Sequence, residues 1–417
     1  MYRLPPLRRI KAFRSTPSGI ERNAMYDFTF EDLVGDEKVF FAEYFDKKPL
    51  LRKNAMPGDV RDILSVRKLD ELLHMESIRP PYIKVNHNGS GVPEKGYTRS
   101  VVVQGVNITD TVVPEKIYEL FRAGATVTWC SLNQIVPELR DFTRVISDKM
   151  AVRTDVVGFM TPTKKRGYLP HHDPVDLFIV QLEGTKRWKL WDLPAQREGD
   201  NASYTDEELG EPAIEVLLEP GDVLYLPYNT PHAAAAEDQV SLHLSIMMRP
   251  RMWKDLLRET FEQAASGPEF NQYPHIGALR DAGTEALFRQ KIAALAARMD
   301  ALDSGAELDR LAELGRTMPG SSHGTTFQTI AETDRITPSV LLRRTAAVVE
   351  FGANDGGRTQ MTVNGHKIAV PTPVAETLAG LEADVPAGDI FPGVDPERAT
   401  KAAQGLTRLG VLEVAPH

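Results

Sequence analysis

The hydrophobic and polar positions fall into three regimes along the chain. In the first, helix-spaced and strand-like stretches alternate. Phe28–Lys48 carries Leu33, Phe40, Phe41 and Tyr44 at helical spacing, and Pro49–Arg52 then reads as a strand. Helices are expected over Val66–His74, Pro114–Ala123 and Val136–Lys149, and strands over Tyr82–Val85, Ser100–Val106 and Ala125–Leu132. The second regime is strand-rich. Ala151–Met160, the apolar run Leu177–Leu182, the alternating Thr185–Trp191, Val223–Pro227 and Ser241–Met248 are separated by Gly/Pro turns at Glu183-Gly184 and Glu219-Pro220-Gly221-Asp222. Such a series predicts a β-sandwich or barrel. In the third, helical spacing returns through Leu256, Leu257 and Phe261, then through Leu287, Ile292, Leu295, Met299 and Leu302, broken at Gly267-Pro268 and Tyr273-Pro274. Pro319–Thr326 reads as a linker. A small module follows: a strand at Ala346–Phe351, a hairpin of Gln360–Val363 and His366–Val370 about Asn364-Gly365, helices Val374–Leu381 and Pro396–Leu409, and a closing strand Val411–Val414.

Composition narrows this α+β picture. A chain of 417 residues with 42% hydrophobic and 26% charged residues has the make-up of an ordinary globular protein of more than one domain. The net charge of −9 disfavours general nucleic-acid affinity. From Ala331 onward eight basic residues face eleven acidic ones, so the last module is read as structural or protein-binding, with no direct DNA binding. One cysteine, Cys130, excludes an internal disulfide and fits the reducing cytoplasm; its apolar surroundings make it a core residue. No run approaches the roughly 18 apolar residues of a membrane span, and no apolar stretch follows the basic residues of 1–24 to make a secretory signal. That tail is read as a polar arm or an over-extended start, with Met25 as the alternative first residue.

The chemistry concentrates between Gly167 and His232. His171 and Asp173 are two apart, so on a strand they share a face, while His172 points away. With His232 they make H-x-D…H, two imidazoles and one carboxylate, the ligand set of a non-haem Fe(II) facial triad. Three ligands on one face leave three positions open, enough for a bidentate co-substrate and O2. The loop with Lys164, Lys165 and Arg166 is either solvated or a rim for an anionic partner. The acidic stretch from Leu193 to Glu215, with Glu198, Asp200, Asp206, Glu207, Glu208 and Glu211, is either a surface loop or a guide for a basic substrate. Tyr168 and Met160, just ahead of the ligands, are candidate substrate-pocket residues. His243 shares a strand face with Ser241 and Ser245, as a neighbour of the co-substrate or as a core histidine.

The run P-H-x-D-x-x-D-x-F-x-x-Q-x-x-G-x-K-x-W, then P-G-D-x-L-Y-x-P…P-H and S-L-H-L-S, resembles the JmjC-type ribosomal oxygenases, which are arginyl and histidyl hydroxylases of ribosomal proteins. The resemblance runs from about Phe28 to the C-terminus and is strongest from Thr161 to Met248. It implies a double-stranded β-helix (cupin/JmjC jelly roll) catalytic domain over 25–250, a helical dimerisation region over 251–318 and, after a linker, a winged-helix-like domain within 319–417. It implies a homodimer that uses Fe(II), 2-oxoglutarate and O2 to hydroxylate a protein or peptide, with a ribosomal protein as the default substrate. A precursor of a peptide natural product is the alternative substrate. A non-catalytic cupin-like binding protein, and a cupin enzyme working without 2-oxoglutarate, are the competing readings. Lys186 falls where the family places the basic anchor of the 2-oxoglutarate carboxylate, and Asp176 matches an acidic position in the family, as a candidate support behind the metal ligands or a substrate-pocket residue. Val157 departs from the family, which often has Asn or Ser there, a polar residue near the co-substrate.

Overall fold

A computed structural model describes residues 28–197, 199–277, 282–316, 331, 333–345, 349–363, 366–381 and 383–415. The basic tail 1–24, Glu198, the linker 319–326 and the Asn364-Gly365 turn lie outside them. The chain forms two compact units, Met1–Arg316 and Thr317–His417.

The first unit is built on two antiparallel sheets. The strands of these two sheets, in chain order and apart from a separate hairpin, are β1 (Leu50–Arg52), β2 (Ile83–His87), β3 (Ser90–Gly91), β4 (Thr126–Trp129), β5 (Thr154–Thr161), β6 (His171–His172), β7 (Asp176–Glu183), β8 (Lys186–Leu190), β9 (Ala202–Ser203), β10 (Ile214–Leu218), β11 (Val223–Leu226), β12 (His232–Ala236) and β13 (Ser241–Met248). The large sheet runs β1-β11-β7-β13-β5-β4-β2-β3 and the small one β9-β6-β12-β8-β10. From β5 onward, leaving β9 aside, β5 to β8 alternate between the large and the small sheet, β10 stays in the small sheet beside β8, and β11 to β13 alternate again, the order of a double-stranded β-helix.

Alternation along the strands sorts side chains between two compartments. On β7, Phe178, Val180 and Leu182 join the main core beneath the N-terminal helices. Leu177 and Ile179 face the other way and pack with Trp188, Leu190, Leu218, Leu224 and Leu226 between the sheets. On β5 and β13, Val156, Leu242, Leu244 and Ile246 belong to the main core. Their alternates therefore face the barrel interior, with Ser241 opposite Thr161 and His243 opposite Phe159. The turn between β7 and β8 requires glycine. Gly184 sits at φ +63°, and a Cβ there would lie 2.1 Å from the Val240 carbonyl oxygen.

Several elements differ from expectation. The single helix foreseen over Phe28–Lys48 is three pieces, Phe30–Val34, Glu37–Val39 and a π-helical turn Phe40–Tyr44. Gly35 at φ 77° ends the first, and Asp36 caps the second. The strand expected over Ser100–Val106 is a hairpin of Thr98–Val103 with Val106–Val112. Gln104 and Gly105, both at positive φ, turn it over. The polar stretch after Leu193 is partly ordered, with β9 and a helical turn Asp206–Leu209 capped by Thr205.

Helices Trp253–Ala264, Ala282–Asp300 and Ser304–Arg316 complete the first unit. Leu257, Phe261, Phe288 and Ile292 on them are about half exposed or more. The second unit has a sheet of Leu341–Arg344, Val385–Pro386 and Leu412–Val414 and a three-stranded meander, Val349–Asp355, Arg358–Val363 and His366–Pro371. Helices Thr372–Ala379 and Pro396–Arg408 accompany them, and Leu342, Met361, Leu378 and Leu412 share one core.

Candidate metal centre

His171 opens β6, His232 opens β12, and the two are direct register partners. Cross-strand partners in an antiparallel pair share a face, so both imidazoles point into the barrel mouth with ring centroids 4.4 Å apart. Asp173 follows β6 on the same face. Its Oδ2 lies 3.7 Å from His171 Nε2 and 4.0 Å from His232 Nε2. Among the described residues these three alone bring metal-ligating atoms together, all within 4.8 Å of one another.

The donor atoms suit a divalent metal. His171 Nδ1 is 2.8 Å from the Leu169 carbonyl and His232 Nδ1 is 2.9 Å from the Thr230 carbonyl. A carbonyl only accepts, so each Nδ1 carries the hydrogen and each Nε2 presents its lone pair to the centre. Burial, and then the neighbouring His171, hold His232 well below its ordinary pKa, in the neutral form that ligates. His172 turns to the other face and is engaged there, with Nδ1 2.6 Å from the Tyr204 hydroxyl and Nε2 3.0 Å from the Asp200 carbonyl.

Deeper in the barrel lies Lys186, 3% exposed. Its Nζ donates to Thr161 Oγ1 at 3.1 Å and lies 3.4 Å from His243 Nδ1. Among the described residues no carboxylate pairs with it, and burial lowers its pKa to about 7. A buried amine facing neutral polar groups is the complement of an incoming carboxylate. His243 stacks on Phe159 at 5.0 Å and meets Trp188 edge-on at 5.4 Å, and the buried Trp188 indole N–H has no partner among the described residues. The walls between Lys186 and the imidazoles are thus aromatic, with a few inward polar atoms.

The sequence-predicted pocket residues divide. Tyr168 belongs to the mouth, with its ring 5.9 Å from that of His171 and its hydroxyl 2.8 Å from Thr128 Oγ1. Met160 does not; it packs on the main core, and its neighbours Phe159 and Thr161 face inward instead. Asp176 also lies elsewhere. Its Oδ1 accepts the Tyr225 hydroxyl at 2.6 Å on the core side of β7, and the same hydroxyl accepts Asp46 N–H at 3.0 Å. Burial raises the Asp176 pKa to about 6. Val175, Leu177 and Ile179 continue the inner face of Asp173, and Asp176 falls on the alternate side, so strand alternation itself separates it from the ligands. Asn201, Thr161, Phe159 and Trp188 were not foreseen as site residues. The pairing of β5 with β13 would have disclosed Phe159 and Thr161; nothing in the sequence marks Asn201.

The basic loop is mostly engaged locally. Lys164 pairs with Asp238 at 3.3 Å, and Arg166 pairs with Asp206 at 3.3 Å and donates to the Tyr168 carbonyl at 3.0 Å. Cys130 is half-buried, and burial raises its thiol pKa. A surface cavity of about 590 Å³, lined in part by Asn54, Arg61, Glu183 and Gly221, lies at the turn end of the barrel and includes no metal-facing residue.

Residues 134–256 match the JmjC domain family. The chain is 27% identical over 280 residues to the bifunctional lysine-specific demethylase and histidyl-hydroxylase NO66 of Aedes aegypti, covering 61% of this chain and 41% of that protein. It is 26% identical over 231 residues to ribosomal oxygenase 1 of Gallus gallus, covering 54% and 37%. The chain thus spans about two fifths of the length of these relatives. Escherichia coli YcfD has the same fold, with a TM-score of 0.52 at 17% identity over 91% of this chain and 98% of that one. A further YcfD structure, in complex with cobalt and succinic acid, gives a TM-score of 0.50 at 15% identity over 92% and 99%. The strand order, the converging ligands and these likenesses agree: the barrel falls within the segment that matches the JmjC domain family, and the chain is similar in sequence to ribosomal oxygenase 1 and in fold to YcfD.

Proposed function

We propose that the chain is a 2-oxoglutarate- and Fe(II)-dependent hydroxylase of a protein side chain. One observation carries the reading: a three-ligand centre with an open side shares a barrel with a buried cation that no carboxylate pairs among the described residues. When bound, Fe(II) with 2-oxoglutarate and O2 supplies the oxidising power to hydroxylate an unactivated C–H bond, leaving succinate and CO2. The chain supplies the rest. His171, Asp173 and His232 hold the metal, and Lys186, with the Thr161 hydroxyl, holds the distal carboxylate. The Phe159, His243 and Trp188 walls keep water from the space between. Tyr168 stands at the mouth, where a substrate side chain enters.

A ribosomal protein is the proposed substrate, supported by the relatives named as histidyl-hydroxylase and ribosomal oxygenase. The exposed Leu257, Phe261, Phe288 and Ile292 support a homodimer through the helical region. The meander and helices of residues 317–417 support a winged-helix-like module. A single cysteine supports a cytoplasmic location; among the described residues no helix is long and apolar enough to cross a membrane. Incubation with Fe(II), 2-oxoglutarate, ascorbate and ribosomal proteins should yield succinate and a protein heavier by one oxygen atom. Succinate without any modified ribosomal protein would move the substrate elsewhere; no succinate at all would overturn the enzyme assignment.

Co-substrate binding should depend on pH. The free amine of Lys186 titrates near 7, and pairing with a carboxylate raises that value. The ammonium is ready-made below about pH 7, so affinity is full there; above it, binding must take up a proton, and affinity falls by up to about tenfold per pH unit. Calorimetry of 2-oxoglutarate binding to the Mn(II)-loaded protein, in buffers of different ionisation enthalpy, measures that proton. A constant affinity from about pH 6 to about pH 9 would show that Lys186 stays charged throughout.

A further inference from the structure

The polar segment after β8 returns to the metal strand. Residues 202 and 203 pair antiparallel with 172 and 171. Continuing that register by one residue puts Asn201 opposite Asp173, and Asn201 Nδ2 donates to Asp173 Oδ1 at 2.9 Å. The other carboxylate oxygen, Oδ2, is the one facing both imidazoles. We infer that Asn201 is a positioning residue for the metal centre: it occupies one oxygen of Asp173 so that the carboxylate meets the metal through the other alone. The inference rests on the function proposed above.

The register that makes this contact is fixed from the opposite face. His172 bonds Tyr204 and the Asp200 carbonyl, and Tyr204 N–H donates to the Pro170 carbonyl at 2.8 Å. A slip of one residue would turn the amide of Asn201 away and break all three contacts. The main chain of Asp173 is held as well, since Asn229 N–H donates to its carbonyl at 3.2 Å. Backbone and side chain are therefore fixed by separate segments.

An amide suits the task because it donates a hydrogen bond without bringing charge near the cation. A carboxylate free to rotate can chelate through both oxygens and take two coordination positions. One taken by Asp173 and two by the imidazoles leave three for the co-substrate and O2. Removing the amide should therefore change how the metal is held as well as how tightly.

The test is titration of the metal-free protein with Co(II) alone, followed by visible d–d absorption and calorimetry. Asn201→Ala should weaken Co(II) binding by about 10–100-fold and alter the d–d spectrum, with the melting temperature of the metal-free protein unchanged. Asn201→Gln, which keeps the amide, should recover part of the wild-type spectrum. Ser203→Ala, in the same segment, should behave as wild type. Wild-type affinity and spectrum in Asn201→Ala would overturn the inference. The same loss in Ser203→Ala would also overturn it, by assigning the effect to the segment as a whole. Failure of the wild-type protein to bind Co(II) would instead strike the proposed function.

Discussion

Asp173→Ala is expected to abolish turnover while leaving the fold intact. The side chain is about one-fifth exposed at the barrel mouth, and the amide that donates to it, on Asn201, is itself exposed, so truncation orphans no buried group. What is lost is the anionic ligand of a three-ligand set. Two neutral imidazoles remain, and they hold a divalent cation far less tightly than two imidazoles with a carboxylate. Affinity should fall by more than the roughly 10–100-fold typical of losing a hydrogen-bond partner of a ligand. Co(II) titration and succinate release are the measurements, with a melting curve of the metal-free protein as control. Retained metal binding would show that the three side chains are not its ligands.

Lys186→Met is expected to separate stability from function. In the ligand-free protein a buried amine, held only by Thr161 and His243 among the described residues, gives way to an apolar chain of similar length. Replacing buried charge with well-packed apolar volume is often stabilising by about 1–4 kcal/mol. The melting temperature should therefore rise. Binding of 2-oxoglutarate should fall steeply, because its distal carboxylate would be buried unpaired at a cost of about 3–5 kcal/mol, or roughly 10²–10⁴-fold in affinity. Calorimetry with the Mn(II)-loaded protein reads the second effect. An unchanged dissociation constant would place the co-substrate elsewhere.

The parts of this site that the sequence discloses are those set by short-range periodicity. His171 and Asp173 share a face because strand side chains alternate, and the same rule sends His172 to Tyr204. Lys186 is legible through the resemblance, which places a basic anchor on the strand after the Gly184 turn. Nearness to the ligands in sequence, and a resemblance at a single position, mislead where they ignore that alternation: Asp176 is out of phase with Asp173 and faces Tyr225, and Met160 is one position out of phase with Phe159 and Thr161. The N-terminal helix is broken by one glycine whose φ no periodicity reveals. Asn201 was illegible for a different reason. Its role depends on a two-residue strand pairing about thirty positions away in sequence, inside a stretch whose composition reads as solvent-facing.

The turn at Gly184 has a consequence for selectivity. It admits no side chain, because the Val240 carbonyl fills the space where one would begin. Lys186 stands two residues beyond it, so main-chain geometry sets how far below the imidazoles the amine sits. Under the proposed function that span acts as a ruler for the oxo acid. Diacids one carbon shorter or longer should then bind less well, a length restriction that changes in the surface loops would leave in place.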